Sequence, residues 1–530
     1  MTTSKTSRRH WMQLALAQAT GLLAPTRLAN AEPVFDANPF KLGIASGHPT
    51  HNSVVLWTRL IAHNPMRNPW GDVAVAVRWE LALTPEFTSL LAQGETLAPP
   101  ELAHSVHVEV QGLPSGAMLY YRFTAGRYVS TVGRTRTMPA PDAMPERLRF
   151  ALASCQRFHS GPFAPYRHML ADAPDLVVFL GDFIYDSAGH AVESRGPTMG
   201  PASKLSDYRL RYELAHSDGA LLDVRAQCPW LILWDDHEVT NDYAGGPVRA
   251  GTETGQLARQ MAAAYQAWYE HQPVSPRALQ GGMPGLIQGN AELRIYGTHA
   301  WGRLLHWHLL DTRQYRSSPG KCGTAGLFDP KDCDTLRDPQ RTMLGQAQET
   351  WLLGQLEKAG TGKDTGAQWN AICQSMVFSQ FLIPVMGGRA NQDTWDGYPL
   401  SRDRILTAIQ RGRTSNPVMF GGDIHQNWVA RIHADPANPT GPVVMPEFVS
   451  TSITTPSFSS LTANQFQALA PHCIYTDRHL RGYSLVEVTP QRMQVDFRVI
   501  DSIHKADSQV STIARFEVQA DQVDVRQMPL

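Results

Sequence analysis

The sequence predicts a multidomain protein in which an N-terminal all-β sandwich precedes a larger α/β domain. At 530 residues the chain is too long for one ordinary hydrophobic core. Segments with strand-like alternation follow one another between about residues 40 and 140, whereas strand-like and helix-like segments alternate from Arg147 onward. The stretch Met138–Pro145 between them is rich in proline and predicts a linker. We therefore place the sandwich at residues 32–142 and the α/β domain at residues 146–530.

The first residues of the chain have the features of an export signal. Arg8-Arg9 precede an apolar stretch, Leu14–Ala24, and Ala29–Ala31 offers a small-residue cleavage site. Paired arginines favour a twin-arginine-type signal peptide over residues 1–31, with an ordinary signal peptide as the alternative. The predicted consequences are recognition by the twin-arginine export machinery, cleavage of the signal, and a periplasmic or secreted mature protein.

Bulk properties argue against two other classes of protein. No later apolar run approaches the ~20 residues that a membrane helix needs, so no transmembrane segment is expected in the mature chain. The formal net charge of -1 argues against a nucleic-acid partner, which would favour a basic face.

The six cysteines suit an exported chain. Cys322 and Cys333 flank a short loop-like segment, and we expect a disulfide to close it. For Cys228, Cys373 and Cys473 two states stay open, pairing or burial as reduced thiols.

The N-terminal domain is predicted from its strands and one turn. Ser53–Thr58, Val73–Glu80 and His104–Val110 run apolar or alternate in strand fashion. Leu113–Phe123 places a turn with Pro and Gly before paired tyrosines, which resembles the tyrosine corner of immunoglobulin-like and fibronectin-like sandwiches. The predicted fold of residues 32–142 is therefore such a sandwich.

The larger domain is predicted from alternating strands and helices. Its helices are expected where apolar residues recur at helical spacing, at Pro165–Ala173, Ser206–Ser217, Gln256–Gln272, Arg341–Ala359 and Leu400–Gly412. Trp369–Ser379 is expected to be a buried strand, and the chain is expected to end in strands at Ser484–Val488, Met493–Ile500 and Ile513–Val518.

Four apolar strands share one feature, because each runs directly into polar side chains that could carry chemistry. The four transitions are Leu231–Trp234 into Asp235, Asp236 and His237; Phe150–Ser154 into Cys155; Leu176–Gly181 into Asp182, with Tyr185 beyond; and Pro417–Gly422 into Asp423, with His425 beyond. Polar groups placed where buried strands end commonly face a cleft. The pattern predicts a metal-lined cleft.

The chemistry of these residues favours bound cations. Three carboxylates within a few ångströms repel one another and would take up protons unless cations neutralise them. Asp and His suit divalent ions, a carboxylate set suits calcium, and Tyr and Cys donors help to hold ferric iron. Taken singly, each residue has a plainer interpretation, such as a helix cap, a core aromatic or a buried thiol. The joint pattern therefore carries the hypothesis.

Several motifs resemble those of a known enzyme class. Gly181–Tyr185 resembles the Gly-Asp-x-x-Tyr motif of calcineurin-like and purple-acid-type metallophosphoesterases. Trp234–Glu238 resembles a variant of their Gly-Asn-His-Glu motif, and Gly422–His425 resembles their Gly-His-x-His motif with Asp as the first ligand. The chain as a whole resembles the PhoD-type alkaline phosphatase and phosphodiesterase family through those motifs and through Ala153–Gln156, Asp311–Tyr315, Arg341–Gly345 and Asp393–Tyr398.

The resemblance implies a metallophosphoesterase domain with two facing mixed sheets flanked by helices. It implies ferric iron with one or two calcium ions, although zinc and manganese also suit the residue types. The implied metal ligands are Cys155, Asp182 (bridging), Tyr185, Asp236, Asp423 and His425. The resemblance assigns His237 as the catalytic residue, and Asn241 is a further candidate contact to metal or phosphate.

The predicted function is hydrolysis of phosphate monoesters and diesters by metal-activated water, with His237 assisting departure of the alcohol. The substrates are then small phosphate esters, and Arg157, Arg195 and Arg402 are candidates to bind the extra charge of a monoester. Two alternatives stay open. One is a phospholipase D-type phosphodiesterase acting on phospholipid. The other is a non-catalytic surface-binding protein with a metal-stabilised scaffold.

Overall fold

In the computed structural model, the described residues are 35–62, 70–187, 195–245, 252–280, 282, 292–319, 322, 327–329, 333–360, 366–381, 390–436, 438–457 and 470–530. The predicted signal peptide, residues 1–31 with Arg8-Arg9, lies outside them. Among the described residues, no helix combines the length and the apolar character required to cross a membrane.

Eight strands form in the N-terminal region because its apolar residues alternate. They are β1 (Ile44–Gly47), β2 (Ser53–Arg59), β3 (Val75–Ala82), β4 (Leu90–Ala98), β5 (Ser105–Gln111), β6 (Met118–Ala125), β7 (Tyr128–Val129) and β8 (Gly133–Arg136). Strands β4, β3, β6 and β7 form one antiparallel sheet, with β8 also paired to β6. Its inward side chains, Val75, Val77, Tyr121 and Phe123 among them, share a core with Val54 of β2.

The rest of the described chain contains eighteen strands and six α-helices. The strands are β9 (Leu148–Ala153), β10 (Leu176–Phe179), β11 (Trp230–Ile232), β12 (Leu279–Gln280), β13 (Glu292–Leu293), β14 (Gly297–Trp301), β15 (Leu305–Leu309), β16 (Leu327–Phe328), β17 (Trp369–Cys373), β18 (Ala390–Asn391), β19 (Pro417–Gly421), β20 (Asn427–His433), β21 (Val443–Val449), β22 (Cys473–Asp477), β23 (Arg481–Val488), β24 (Arg492–Ile500), β25 (Val510–Gln519) and β26 (Val525–Met528). The helices are α1 (Pro165–Ala171), α2 (Leu205–Ala215), α3 (Gly219–Gln227), α4 (Thr252–His271), α5 (Gln346–Lys358) and α6 (Pro399–Gly412).

Two mixed sheets organise these strands. The ten-stranded sheet has the order β26-β25-β24-β23-β9-β10-β11-β1-β2-β5, and the seven-stranded sheet has the order β14-β15-β17-β19-β21-β20-β22. They share one core, in which Phe150 of β9 contacts the rings of Trp307 and Phe420 of the other sheet, 5.4 and 5.9 Å away. Strands β9, β10 and β11 are parallel, as are β15, β17, β19 and β21, so their carboxyl ends lie at common edges.

The N-terminal region is joined to the larger sheet, which the sequence does not predict. Strand β1 pairs in parallel with β11 at Gly47 and Trp230, so β1, β2 and β5 extend the ten-stranded sheet. A Cβ atom at Gly47 would collide with the carbonyl oxygen of Pro273, so only glycine allows this approach.

Most predicted elements appear near their predicted positions, and two differ in length. The helix predicted at Arg341–Ala359 begins only at Gln346. The residue before it, Gly345, has a φ of +73°, which is not a helical conformation. The strand predicted at Trp369–Ser379 ends at Cys373. Helix α3 was not predicted, and its N-cap is Asp218, whose carboxylate accepts the N–H groups of Ala220 and Leu221.

The six cysteines divide into one disulfide pair and four free thiols. Cys322 and Cys333 form the predicted disulfide, with Cα atoms 5.5 Å apart. The question left open for Cys228, Cys373 and Cys473 is answered, because all three are free and buried.

Candidate metal centre

Four residues that follow three of these parallel strands, β9, β10 and β19, adopt unusual backbone conformations. Cys155, Asp182, Asp423 and His425 have φ values of 57°, 59°, 67° and 53°. Non-glycine residues rarely adopt this left-handed region, and such strain concentrates at functional sites. Gly181 allows the segment that carries Asp182 to approach the segment that carries Asp235. A Cβ atom at Gly181 would lie only 2.6 Å from the backbone nitrogen of Asp235.

The structure brings the predicted ligands together. Three overlapping groups each place their candidate ligand atoms within 4.8 Å of one another: Cys155, Asp182 and His425; Asp182, Asp236 and His237; and Asp235, Asp236 and Asp423. Asp182 belongs to the first two groups and Asp236 to the last two. The groups therefore form one continuous cluster at the strand ends.

Tyr185 joins this cluster through His425. Its hydroxyl oxygen lies 3.2 Å from Nε2 of His425, while Nδ1 of His425 lies 3.0 Å from the carbonyl oxygen of Pro456. A carbonyl can only accept, so Nδ1 carries the proton and Nε2 offers its lone pair. Thr455 also holds the tyrosine, since its hydroxyl lies 2.8 Å from the Tyr185 oxygen.

Several carboxylate oxygens in the cluster are buried without hydrogen-bond partners among the described residues. They are Oδ2 of Asp182, Oδ2 of Asp235 and Oδ1 of Asp236. Leaving a buried polar atom unsatisfied costs about 1–3 kcal/mol, and more for a charged group. Oxygen, imidazole and thiolate donors around such atoms fit bound metal cations.

Electrostatics divide the carboxylates into two kinds. Burial, followed by repulsion from neighbouring carboxylates, raises the pKa values of Asp182 and Asp423 well above their ordinary range. Burial would also raise the pKa of Asp236, but Arg313 and then His237 outweigh it and lower that pKa. Without cations the protein could therefore ionise Asp236 but not all of its neighbours.

Arg313 is the main internal counter-charge and was not singled out from the sequence. Its Nε donates to Asp235 over 2.5 Å, its Nη1 donates to both oxygens of Asp393 over 2.7 and 2.8 Å, and its Nη2 lies 3.8 Å from Asp236. Arg316 donates to the same Asp393 carboxylate over 2.6 Å. The Asp311–Tyr315 motif contained Arg313, but only three-dimensional proximity shows its role.

His237 is held by Asp186, another residue that sequence reasoning missed. Nδ1 of His237 lies 2.6 Å from Oδ1 of Asp186, and the His237 ring packs 4.4 Å from the Tyr185 ring. The Thr240 hydroxyl donates to the other Asp186 oxygen over 3.3 Å. Burial would lower the pKa of His237, but the charges of Asp236, Asp182 and Asp186 raise it well above 6.5. The position of Asp186, directly after Tyr185, was the available signal.

Glu238 ties two of the ligand-bearing segments together. Its carboxylate accepts the backbone N–H groups of Asp182, Phe183 and Asp235 at 3.1, 2.6 and 2.9 Å. Burial raises the pKa of Glu238 to about 7, although these donors oppose the rise. It positions the segments rather than facing the cluster, which its place in the Trp234–Glu238 motif does not show.

The remaining predicted site residues lie around the cluster. Asn241 is exposed, next to Asp242, whose backbone N–H donates to Asp236 over 2.6 Å. Arg157 lies against Tyr185, with its guanidinium carbon 4.8 Å from the ring centroid. Arg195 and Arg402 instead form ion pairs of 2.6 and 2.9 Å with Asp218 and Asp396.

Comparison with known proteins identifies the family. The family model described as PhoD-like phosphatase matches residues 150–497, and the model described as PhoD-like phosphatase, N-terminal domain, matches residues 26–139. The chain belongs to the PhoD-like phosphatase family. The resemblance inferred from the motifs is thus confirmed, and the protein is a phosphoric ester hydrolase.

Two relatives of the family are similar over nearly the whole chain. Alkaline phosphatase D of Bacillus subtilis (strain 168) is 36% identical over 526 residues, covering 97% of this chain and 86% of the relative. A solved structure of PhoD matches with a TM-score of 0.85 and 35% identity, covering 94% of this chain and 93% of that one.

The crowding of carboxylates predicts that Asp423→Asn stabilises the metal-free protein. A raised carboxyl pKa means that folding becomes less favourable as pH rises above the unfolded value of about 4, because ionisation is then opposed in the folded state. In chelator at pH 8 the variant should exceed the wild type by about 1–3 kcal/mol in urea unfolding, with the difference shrinking towards pH 4.

Two comparisons make this experiment specific. Asp334→Asn is a matched control, since the Asp334 side chain is 96% exposed and should leave stability unchanged. Added metal ions should reverse the order, because only the wild type retains the carboxylate. A metal-free wild type as stable as the variant at pH 8 would contradict the assignment.

Proposed function

We propose that the protein is an exported, metal-dependent hydrolase of phosphate monoesters and diesters. The observation that carries this proposal is the convergence of the predicted ligands around partnerless carboxylate oxygens, beside an imidazole held by Asp186. A metal-stabilised scaffold would have no need for this histidine. Membership of the family indicates phosphoric ester hydrolysis. The geometry of the cluster supports metal ions as the cofactors of that reaction.

Ferric iron and calcium suit two parts of the cluster. We assign Cys155, Asp182, Tyr185 and His425 to iron, because thiolate and phenolate donors favour a highly charged ion. Asp236 and Asp423 are assigned to calcium, with Asp182 shared between the ions. Bound metal ions would supply activated water and neutralise the phosphoryl oxygens.

His237 is the proposed general acid. Asp186 occupies Nδ1, which leaves Nε2 as the ring nitrogen that can give a proton to the departing alcohol oxygen. The hydrogen bond to Asp186 favours the protonated imidazole, and packing against Tyr185 fixes the plane of the ring.

Arg157 is the candidate for recognising a monoester. It is the one of the three predicted arginines that contacts Tyr185, and its Nε has no hydrogen-bond partner among the described residues. A monoester carries one more negative charge than a diester, so a nearby guanidinium favours it. We therefore favour an alkaline phosphatase that also cleaves diesters.

The finer points of location and architecture are also proposals. Residues 1–31 are proposed to direct twin-arginine export to the periplasm or the exterior, followed by cleavage. Residues 32–142 are proposed to be an immunoglobulin-like or fibronectin-like sandwich, and residues 146–530 to be the metallophosphoesterase domain.

Substrate and metal dependence can be tested together. Natively exported protein should hydrolyse p-nitrophenyl phosphate and bis-p-nitrophenyl phosphate, lose both activities in chelator, and regain them with calcium and iron. Elemental analysis should find both metals, and tyrosinate or thiolate ligation to iron should give a visible absorption band. Cleavage of diesters alone would favour the phospholipase D-type alternative. Turnover of neither substrate would favour the non-catalytic binding protein.

Asp186→Asn should impair proton transfer without removing the metals. Without the Asp186 carboxylate, His237 is less basic and its ring is less firmly oriented. The value of kcat should therefore fall about 10²–10⁴-fold with little change in KM. Metal content and the visible band should be unchanged. Asp223→Asn, at an exposed position of α3, is the matched control. Loss of metal from Asp186→Asn would assign Asp186 to the ligands instead.

A further inference from the structure

A buried loop after β21 reaches the part of the metal centre that is assigned to iron. The loop comprises residues 450–456. Its first residue, Ser450, donates its backbone N–H to the carbonyl oxygen of Gly421 in β19 over 3.0 Å. Ile453 donates its backbone N–H to Ser154, beyond β9, over 2.9 Å. Strands β19 and β9 belong to different sheets, so the loop joins the two mixed sheets at the edge where the predicted ligands lie.

The last two residues of this loop are hydrogen-bonded to predicted iron ligands. The carbonyl oxygen of Pro456 lies 3.0 Å from Nδ1 of His425, which leaves Nε2 of that ring to face the cluster. Oγ1 of Thr455 lies 2.8 Å from the hydroxyl oxygen of Tyr185 and 2.7 Å from the carbonyl oxygen of Cys155. One loop therefore contacts three of the four residues that are assigned to iron.

The hydroxyl of Thr455 has one proton and two neighbours that can accept it. The carbonyl oxygen of Cys155 also accepts the backbone N–H of Thr455 over 3.3 Å. Oγ1 of Thr455 in turn accepts the backbone N–H of Arg157 over 3.2 Å. Both oxygens therefore keep a hydrogen-bond partner when the hydroxyl proton turns from Cys155 to Tyr185. The hydroxyl can change its acceptor without leaving a buried polar atom unsatisfied.

We propose that Thr455 is a positioning residue for iron, which donates its hydroxyl proton to the oxygen of Tyr185 when that oxygen is a metal ligand. A tyrosine binds a metal ion as the phenolate, which has released its proton to water and can only accept. The donated hydrogen bond fixes the direction of the phenolate oxygen, as partners of metal ligands commonly do. This inference rests on the assignment of Tyr185 to iron under the proposed function.

The hydrogen bond has a spectroscopic consequence that packing alone does not have. Donation to the phenolate oxygen stabilises the lone-pair electrons of that oxygen and so tunes the bound metal. Transfer of an electron from phenolate to ferric iron then requires more energy. Removal of the donor should therefore move the visible absorption band to longer wavelength.

Thr455→Val tests the proposal, because valine has a similar shape but no hydroxyl. In the full-length, metal-loaded protein the band should move to longer wavelength, and a chelator should remove iron about 10–100-fold more readily. Thr455→Ser keeps the hydroxyl and should keep the wild-type band and iron retention. Thr455→Ala removes the same donor and replaces Thr455→Val in this comparison if the valine variant fails to fold.

Thr454→Val is the matched control. The Thr454 side chain is buried in the same loop, and its hydroxyl donates to the carbonyl oxygen of Arg157 over 2.8 Å rather than to Tyr185. This variant should lower the unfolding midpoint about as much as Thr455→Val but leave the visible band in place. An equal shift of the band in both variants would indicate a general disturbance of the loop and would overturn the proposal.

The remaining outcomes separate this inference from the proposed function. A wild-type band that is unmoved in Thr455→Val, with unchanged iron retention, would overturn the role of Thr455 alone. A band that persists in Tyr185→Phe would show that Tyr185 is not the absorbing ligand, and would overturn it as well. Wild-type protein without iron or a visible band would contradict the iron assignment itself, and this inference with it.

Discussion

The structure depends on the crowding of carboxylates at the ends of buried parallel strands. Asp182, Asp235, Asp236 and Asp423 all lie in or beside one cluster, and three of them have oxygens without partners among the described residues. In a medium of low dielectric constant such a group cannot ionise fully without compensating positive charge. Arg313 supplies part of that charge from within the chain, and cations are the natural source of the rest.

The position of Arg313 is itself maintained by a chain of contacts that reaches the disulfide. Asp393 binds Arg313 through both carboxylate oxygens. The preceding residue, Gln392, donates its side-chain amide to the carbonyl oxygen of Cys322, which the disulfide links to Cys333. An oxidised loop therefore restrains the segment that orients the main counter-charge of the site. This arrangement suits a protein that works in an oxidising compartment, where the disulfide persists.

Sequence reasoning identified the ends of the strands but not the residues that support them. The transition from an apolar run to Asp182 or Asp423 is local, so it is readable along the chain. The contact of His237 with Asp186, 51 positions away, and the pairing of β1 with β11 arise only when distant segments meet. Local patterns also overlooked helix α3, which is short and weakly amphipathic, because its start depends on a cap at Asp218.

The same cluster explains why folding and metal loading should be linked. Left-handed backbone at Cys155, Asp182, Asp423 and His425 costs of order 1–3 kcal/mol each, and the buried carboxylates add repulsion. Bound cations would remove the repulsion and fix these positions, and would therefore stabilise the folded state by mass action. Under the proposed export by the twin-arginine route, the chain would load its metals and fold before it leaves the cytoplasm.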